Sequence, residues 1–187
     1  DKQWTAEQRL CSSRYFKRYF VYGVPEGDIA DSGIDDLIAS LATGDPEAQR
    51  ATLNKYADRA MPRLIERLRD RAEDVDEIAA LPLALAIVRN GDMLPRERGP
   101  YVMGGTFLQA AILVSQLMRQ IEMGHRLDAV KAVIEAAQPL ALGSECVRWL
   151  THYPDKPAAH RVLPDDANDA VYELFAGRVR AASEEGP

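Results

Sequence analysis

The sequence predicts an all-α protein, either an irregular multi-helix bundle or stacked helical hairpins, with eight or nine helices. Three observations support this prediction. Apolar residues recur at the three- and four-residue spacing of one helix face along most of the chain. Helix-capping residues, glycines and prolines separate these apolar segments from one another. Alternating β-branched and aromatic runs bounded by tight-turn pairs are nearly absent.

Length and composition fit a single domain over residues 1–187. Of the 187 residues, 47% are hydrophobic and 28% are charged, so the chain can bury a core without covalent staples. Two cysteines are too few for a disulfide framework, which favours a reducing, cytoplasmic location. The formal charge of −6 excludes a wholly basic surface that would coat nucleic acid, while local basic patches stay compatible with it.

The first two predicted helices are separated by glycine and proline. A short helix over about 12–22 is stopped by Gly23–Pro25. Asp31 or Ser32 caps the next helix, which ends at Thr43–Gly44. The apolar face of this second helix consists of Ile34, Leu37, Ile38 and Leu41.

The third helix starts at once and runs to about Tyr56. Asp45 followed by Pro46 predicts this start, since an N-cap aspartate and a proline at the first helical position both suit a helix N-terminus. Asp58 then caps a fourth helix, with a bend expected near Ala72. The apolar stripe of the fourth helix consists of Met61, Leu64, Ile65 and Leu68.

A fifth helix is predicted over Ile78–Arg89, with Pro82 early enough to be tolerated or to kink it. Asn90–Gly91 ends this helix. The connection 92–105, rich in glycine and proline, is the longest irregular stretch and the best candidate for an internal boundary. The acidic residues that precede the helix and suit its N-terminus are Glu73, Asp74, Asp76 and Glu77.

Thr106 is expected to cap a buried helix over 107–123, which Gly124 closes. This helix overlaps the uncharged stretch 99–118, whose length approaches that of a bilayer span. Glycine, proline and amide residues lower its hydrophobicity, so a core helix is favoured and no direct membrane insertion is expected.

Two further helices are predicted over 126–137 and 140–152, separated by Pro139. Asp165–Asp166 then starts the last predicted helix. A polar run at 183–187 indicates a trailing linker, and the absence of a leader before Asp1 predicts a piece of a longer protein. The start of a HEAT-type repeat is suggested by Gly44-Asp45-Pro46-Glu47-Ala48-Gln49-Arg50, although no second copy follows at a fixed period.

Known templates for catalysis and metal binding are not matched. No G-x-x-x-x-G-K-[ST] loop cradles a phosphate, and neither an HExxH nor a CxxC spacing occurs. Gly143–Glu145 lacks the second glycine of a nucleophile elbow. Cys11 and Cys146 are expected to be small buried hydrophobes. The sequence predicts no catalytic residue, no cofactor and no metal site, since the histidines are scattered at His125, His152 and His160.

A basic aromatic segment lies near the N-terminus. Two aromatic pairs repeat at i and i+4, which places their rings on one broad helix face with three basic residues beside it. Such rings can stack on nucleic-acid bases, but docking against a neighbouring domain or the core is the favoured interpretation. The segment consists of Arg14, Tyr15, Phe16, Lys17, Arg18, Tyr19 and Phe20.

A second basic feature is an arginine row, Arg59, Arg63, Arg67 and Arg71, spaced four residues apart. The row can contact phosphates or an acidic partner, but Glu66 and Asp70 lie near enough to pair with it, which favours a solvated face. Charge is segregated along the chain. Residues 1–23 and 59–72 each carry five basic and two acidic groups, whereas 24–58 carries two basic and eight acidic groups.

The N-terminal residues resemble a segment found after the ATPase core in bacterial KAP-family P-loop proteins. There, a Tyr-Phe-x-Arg-Tyr-Phe element leads into a Val-Pro-x-Gly-Asp-Ile turn and a helical C-terminal region. The resemblance covers about twenty residues, and Lys17 stands where an acidic residue is expected. The residues that carry it are 11–20, Val24-Pro25-Glu26-Gly27-Asp28-Ile29 and Asp31.

The resemblance implies a helical appendage to an upstream NTPase domain of the same parent chain, with the Walker motifs in that domain. It also implies a role in phage exclusion or in a membrane-associated signalling assembly. The leading hypothesis is a non-catalytic regulatory or protein-interaction domain, with a protein partner or a homo-oligomer. The alternatives are a nucleic-acid-binding helical module that uses both basic features, and an enzyme with dispersed carboxylates.

Overall fold

The computed structural model describes residues 29, 31–56, 60–94, 105–151 and 161–184, and within these ranges the protein is helical without strands. The prediction of an all-α multi-helix fold is confirmed. Three short 3-10 turns accompany the α-helices at 72–74, 91–93 and 165–167. The described part of the chain has eight α-helices: α1 (Asp31–Leu41), α2 (Pro46–Asn54), α3 (Ala60–Arg71), α4 (Glu77–Arg89), α5 (Thr106–Gln120), α6 (Met123–Ala136), α7 (Leu140–Leu150) and α8 (Asn168–Glu184).

The helices pack around α4 and α5. α5 packs against α3, α4, α6 and α7, and α4 also packs against α1, α2 and α6. α8 covers α6 and α7. One continuous apolar core includes residues on both sides of the 92–105 connection. α5 is buried in this core, as expected for the 107–118 segment, and none of the described helices combines the length and apolar character that a membrane span requires.

Several local predictions are confirmed. The Asp45 carboxylate accepts a hydrogen bond from the Glu47 N–H at 3.1 Å, and Pro46 is the first residue of α2. Gly44 has a φ of +84°, the left-handed conformation that a glycine adopts readily after a helix. The predicted stripe of α3, Met61, Leu64, Ile65 and Leu68, is fully buried.

The junction between α5 and α6 differs from the prediction. α5 ends at Gln120, three residues before the predicted end, and Gly124 lies inside α6 instead of closing α5. Ile121 adopts an extended backbone conformation, and Glu122 is the N-cap residue of α6. Side chains distant in sequence stabilise this break, because Glu77 accepts the Glu122 N–H at 2.8 Å and Arg126 donates to the Ile121 carbonyl at 2.8 Å.

Smaller corrections concern other helix ends. α2 ends at Asn54, two residues before the predicted Tyr56. Asp165 and Asp166 form a 3-10 turn, and α8 starts only at Asn168. α8 then continues to Glu184, so the predicted linker cannot start at residue 183. The predicted helix over 12–22, the Asp58 cap and most of the 92–105 connection lie outside the described residues.

Candidate interaction surface

The first turns of α4 stand between two surface clefts and carry an exposed isoleucine. Ile78, the first residue of the helix that the sequence predicts over 78–89, is 90% exposed. Its position explains this, because two residues correspond to about 200° around a helix and Ala80 faces the core. We call residues 76–83 and the two adjacent clefts the α4 surface.

A buried glutamine holds this part of α4 in place. The Gln49 side chain is fully buried, and its Nε2 donates to the Leu41 carbonyl at 2.8 Å and to the Pro82 carbonyl at 3.3 Å. Pro82 has no N–H, so the Ile78 carbonyl lacks the donor it would have in a regular helix. Gln49 of α2 therefore holds α4 in place at Pro82, while the Ile78 side chain one turn earlier remains exposed to solvent.

The first cleft lies between α1, the end of α3 and α4, and has a volume of about 470 Å³. Its floor is mainly aliphatic, and its rim carries three carboxylates and one guanidinium. Among the rim groups, Arg71 Nη2 donates to Asp35 Oδ1 at 2.6 Å. The cleft is lined by Asp35, Ile38, Ala39, Ala42, Leu68, Arg71, Asp74, Val75, Asp76, Ala79 and Leu83.

The second cleft lies on the other side of α4, against the start of α6, and has a volume of about 520 Å³. Its floor is also aliphatic, and two carboxylates and one imidazole stand at its rim. Asp74, Asp76 and Asp128 are exposed, and none of them forms an ion pair with another residue in the described ranges. The second cleft is lined by Glu77, Ile78, Leu81, Pro82, Ile121, His125, Asp128 and Ala129.

The rim of the second cleft contains a cluster that sequence analysis missed. Glu77, Glu122 and His125 each place one carboxylate oxygen or ring nitrogen within 4.8 Å of the others, and all three side chains are exposed. His125 Nδ1 lies 3.8 Å from Glu122 Oε2. The Glu-x-x-His spacing of residues 122–125 is visible in the sequence. Glu77, however, is brought in only by the tertiary packing of α4 against α6.

The arginine row does not form one solvated face. Arg63 is only 8% exposed, because the first turns of α3 are buried on several sides. Its Nη1 donates a hydrogen bond to the Glu66 carboxylate. Arg67 and Arg71 both point toward α1, where Arg67 Nε lies 3.8 Å from Asp35 Oδ1. The structure thus brings two members of the row together over one carboxylate and separates Arg63 from them.

The other predicted interaction residues lie outside the described residues. These are Arg59 of the arginine row and the basic aromatic segment, Arg14, Tyr15, Phe16, Lys17, Arg18, Tyr19 and Phe20.

Four described groups have shifted pKa values, and each shift has a structural cause. Hydrogen bonding to Asp92 raises the pKa of Arg50, and the same contact lowers the pKa of Asp92. Burial, followed by the charge of Arg119, lowers the pKa of Arg126. Burial raises the pKa of the Cys146 thiol to about 12. Cys146 is completely buried, as predicted for a small core hydrophobe.

Gly143, which the sequence places beside Ser144 in an incomplete nucleophile elbow, has a packing role. A Cβ atom at this position would lie 2.9 Å from Phe175 Cε2 of α8. The glycine therefore allows α7 and α8 to approach closely.

Comparison of the chain with protein-family models gave no match, and comparisons with curated proteins and with solved structures found no significant similarity.

Proposed function

We propose that this chain is a non-catalytic, cytoplasmic protein-interaction domain that binds a partner through the α4 surface. The observation that carries the proposal is Ile78, a large apolar side chain of α4 that is 90% exposed and lines the second cleft, while the next residue, Ala79, lines the first. Burying such a side chain in a partner contributes about 1.5–3 kcal/mol. The aliphatic floors of the two clefts add concave apolar surface beside Ile78, so a partner can bury the side chain and the clefts together.

The charge of the α4 surface indicates the chemistry of the partner. Carboxylates outnumber basic groups at both rims, and Asp74, Asp76 and Asp128 have no basic partner among the described residues. Complementary potential favours a partner with Lys or Arg beside its apolar side chains. The occupant we propose is a basic amphipathic segment of another protein.

The same geometry gives less support to the nucleic-acid alternative. Asp35 engages both Arg67 and Arg71, and Arg63 is buried, so these three arginines do not present an open basic face to phosphates. The carboxylates around α4 would repel a nucleic-acid backbone. These observations favour a protein partner.

A random peptide display library selected on the immobilised full chain tests the proposal. We expect the enriched peptides to combine apolar residues with Lys or Arg. By fluorescence anisotropy, Ile78→Ser is expected to weaken the binding of the enriched peptides about tenfold, because it removes most of one buried aliphatic contact. The matched control is Val179→Ser, which removes a 40% exposed valine from α8 and leaves binding unchanged.

Four results would contradict the proposal. Enriched peptides that are acidic, or whose affinity is the same for Ile78→Ser, would exclude the α4 surface. Retention of DNA or RNA at low salt that disappears in Arg67→Ala would instead support the nucleic-acid alternative. Hydrolysis of ATP by the purified chain would overturn the non-catalytic part of the proposal.

The resemblance of residues 11–31 supports a proposed family setting, the C-terminal helical region of a bacterial KAP-like P-loop NTPase. In that setting, the domain would couple nucleotide-dependent motion to a partner or to an oligomer interface. The open reading frame upstream of Asp1 tests this, since a Walker A lysine motif is expected there. An upstream sequence without that motif would reject the family, whereas the peptide experiment tests the α4 surface separately.

A further inference from the structure

We propose that Glu77, Glu122 and His125 form a zinc site that joins the start of α4 to the start of α6. The cluster shares Glu77 and His125 with the rim of the second cleft, but zinc binding by the chain alone does not depend on the proposed protein partner. Zn²⁺ is bound in proteins by imidazole nitrogens and by carboxylate oxygens, and both donor types are present here. The three donor atoms come from two helices that are distant in sequence, and they lie within 4.8 Å of one another.

The backbone already holds two of these side chains together. Glu77 Oε1 accepts a hydrogen bond from the Glu122 N–H at 2.8 Å, which places the Glu77 carboxylate at the first turn of α6. The Glu122 carboxylate in turn lies 3.8 Å from His125 Nδ1, because the two residues are three positions apart. The relative position of the three residues therefore follows from how α4 meets α6.

The charge at the cluster favours a cation. Neither Glu77 nor Glu122 forms an ion pair with a lysine or arginine anywhere in the described ranges. Two carboxylates are thus close together with only an imidazole beside them. A divalent ion at this point would neutralise both of them.

The distances are compatible with metal binding after small side-chain movements. Tetrahedral zinc with bond lengths near 2.1 Å places its donor atoms about 3.4 Å apart. All three side chains are exposed, so rotamer changes can close the remaining gap without moving the helices. Asp128 lines the same cleft as Glu77 and His125, so it is available as a further oxygen ligand, directly or through water.

Isothermal titration of the full chain with ZnCl₂ in metal-free buffer tests the site. We expect one zinc ion per chain, and at least about tenfold weaker binding in His125→Gln and in Glu77→Gln, because each variant removes a ligand. A second readout is thermal unfolding. Saturating zinc is expected to raise the Tm by about 5 °C in the wild type and to have little effect in His125→Gln.

Matched controls separate this site from other zinc ligands in the chain. Glu135→Gln removes an exposed glutamate further along α6, and His152→Gln and Cys11→Ser remove candidate ligands outside the described residues. These three variants are expected to bind zinc as the wild type does. The proposal is overturned if the wild type binds no zinc, if His125→Gln binds it unchanged, or if His152→Gln or Cys11→Ser abolishes binding. Circular dichroism spectra are to be recorded for every variant, and only variants with the wild-type helical signal are compared.

Discussion

Arg50 of α2 holds the carboxylate of Asp92 with two parallel hydrogen bonds, Nη1 to Oδ1 at 2.8 Å and Nη2 to Oδ2 at 2.9 Å. The same guanidinium donates to Asn90 Oδ1 at 3.0 Å, and the Asn90 amide donates to the Ala86 carbonyl. Bidentate pairs of this kind combine charge with fixed geometry. They tie α2 to the end of α4, at the point where the sequence predicts that the long irregular connection begins.

Asp92→Asn is expected to destabilise the protein at neutral pH and to have less effect in acid. The hydrogen bonds from Arg50 lower the pKa of Asp92 from its ordinary value of 3.8. The contribution of a carboxyl with a lowered folded-state pKa is present above the ordinary value and is lost as the pH falls through the folded-state value. Because the side chains of the pair are 42% and 53% exposed, the expected loss at pH 7 is at most about 1 kcal/mol.

Urea unfolding of wild type and Asp92→Asn at several pH values from 7 to 3 measures this difference. The gap in free energy of unfolding should narrow toward pH 3. Asp36→Asn is the control, since Asp36 is exposed on α1 and forms no ion pair with other described residues. A gap that is the same at every pH would show that the ionised Asp92 does not contribute.

Gly91→Ala is expected to be among the more damaging substitutions, at about 3 kcal/mol. A Cβ atom at Gly91 would overlap the carbonyl oxygen of Gln138 and the Leu142 side chain. The Gln138 N–H also donates to the Val88 carbonyl at 2.8 Å, so the backbone between α6 and α7 cannot easily move away from α4.

Gly177→Ala is expected to stabilise the protein, whereas Gly91→Ala destabilises it, and urea unfolding measures both variants. Gly177 lies inside α8, and a Cβ atom there would meet nothing within 4 Å. Alanine has the higher helix propensity, so this variant should gain about 0.5–1 kcal/mol. Equal effects of the two substitutions on the urea midpoint would contradict the packing of Gly91.

The local sequence predicted those features that local chemistry determines. The N-cap at Asp45, the glycine turn at Gly44 and the buried stripe of α3 all depend on residues close together in the chain. The burial of Arg63 was not predicted, because it depends on how α3 packs in the core. Its four-residue spacing from Arg67 says nothing about which helices cover it.

The candidate sites were predicted less well for the same reason. The exposure of Ile78 and the approach of Glu77 to His125 arise where α4 meets other helices. No pattern in the sequence pairs residue 77 with residues 122–125, which are 45 positions away.

Cys146 is expected to be unreactive as long as the protein is folded. The thiol is fully buried and burial raises its pKa to about 12, so very little thiolate exists at pH 8. The Cys11→Ser variant leaves Cys146 as the single thiol. Ellman's reagent should label this variant slowly in buffer and rapidly in denaturant. Rapid labelling of the folded variant would show that α7 opens or that the thiol is accessible.

Arg126→Met is expected to destabilise the junction between α5 and α6 and to lower the free energy of unfolding by about 2 kcal/mol. The guanidinium of Arg126 donates to the carbonyls of Arg119 and Ile121, where α5 ends, and to the Val162 carbonyl of the segment before α8. Methionine keeps the aliphatic stem but leaves these partly buried acceptors without that donor. Arg180→Met, at an exposed position of α8, is the control and should change stability by less than about 0.5 kcal/mol. The two variants are compared by urea unfolding at pH 7, and indistinguishable midpoints would mean that the α5–α6 break is held by Glu77 and core packing alone.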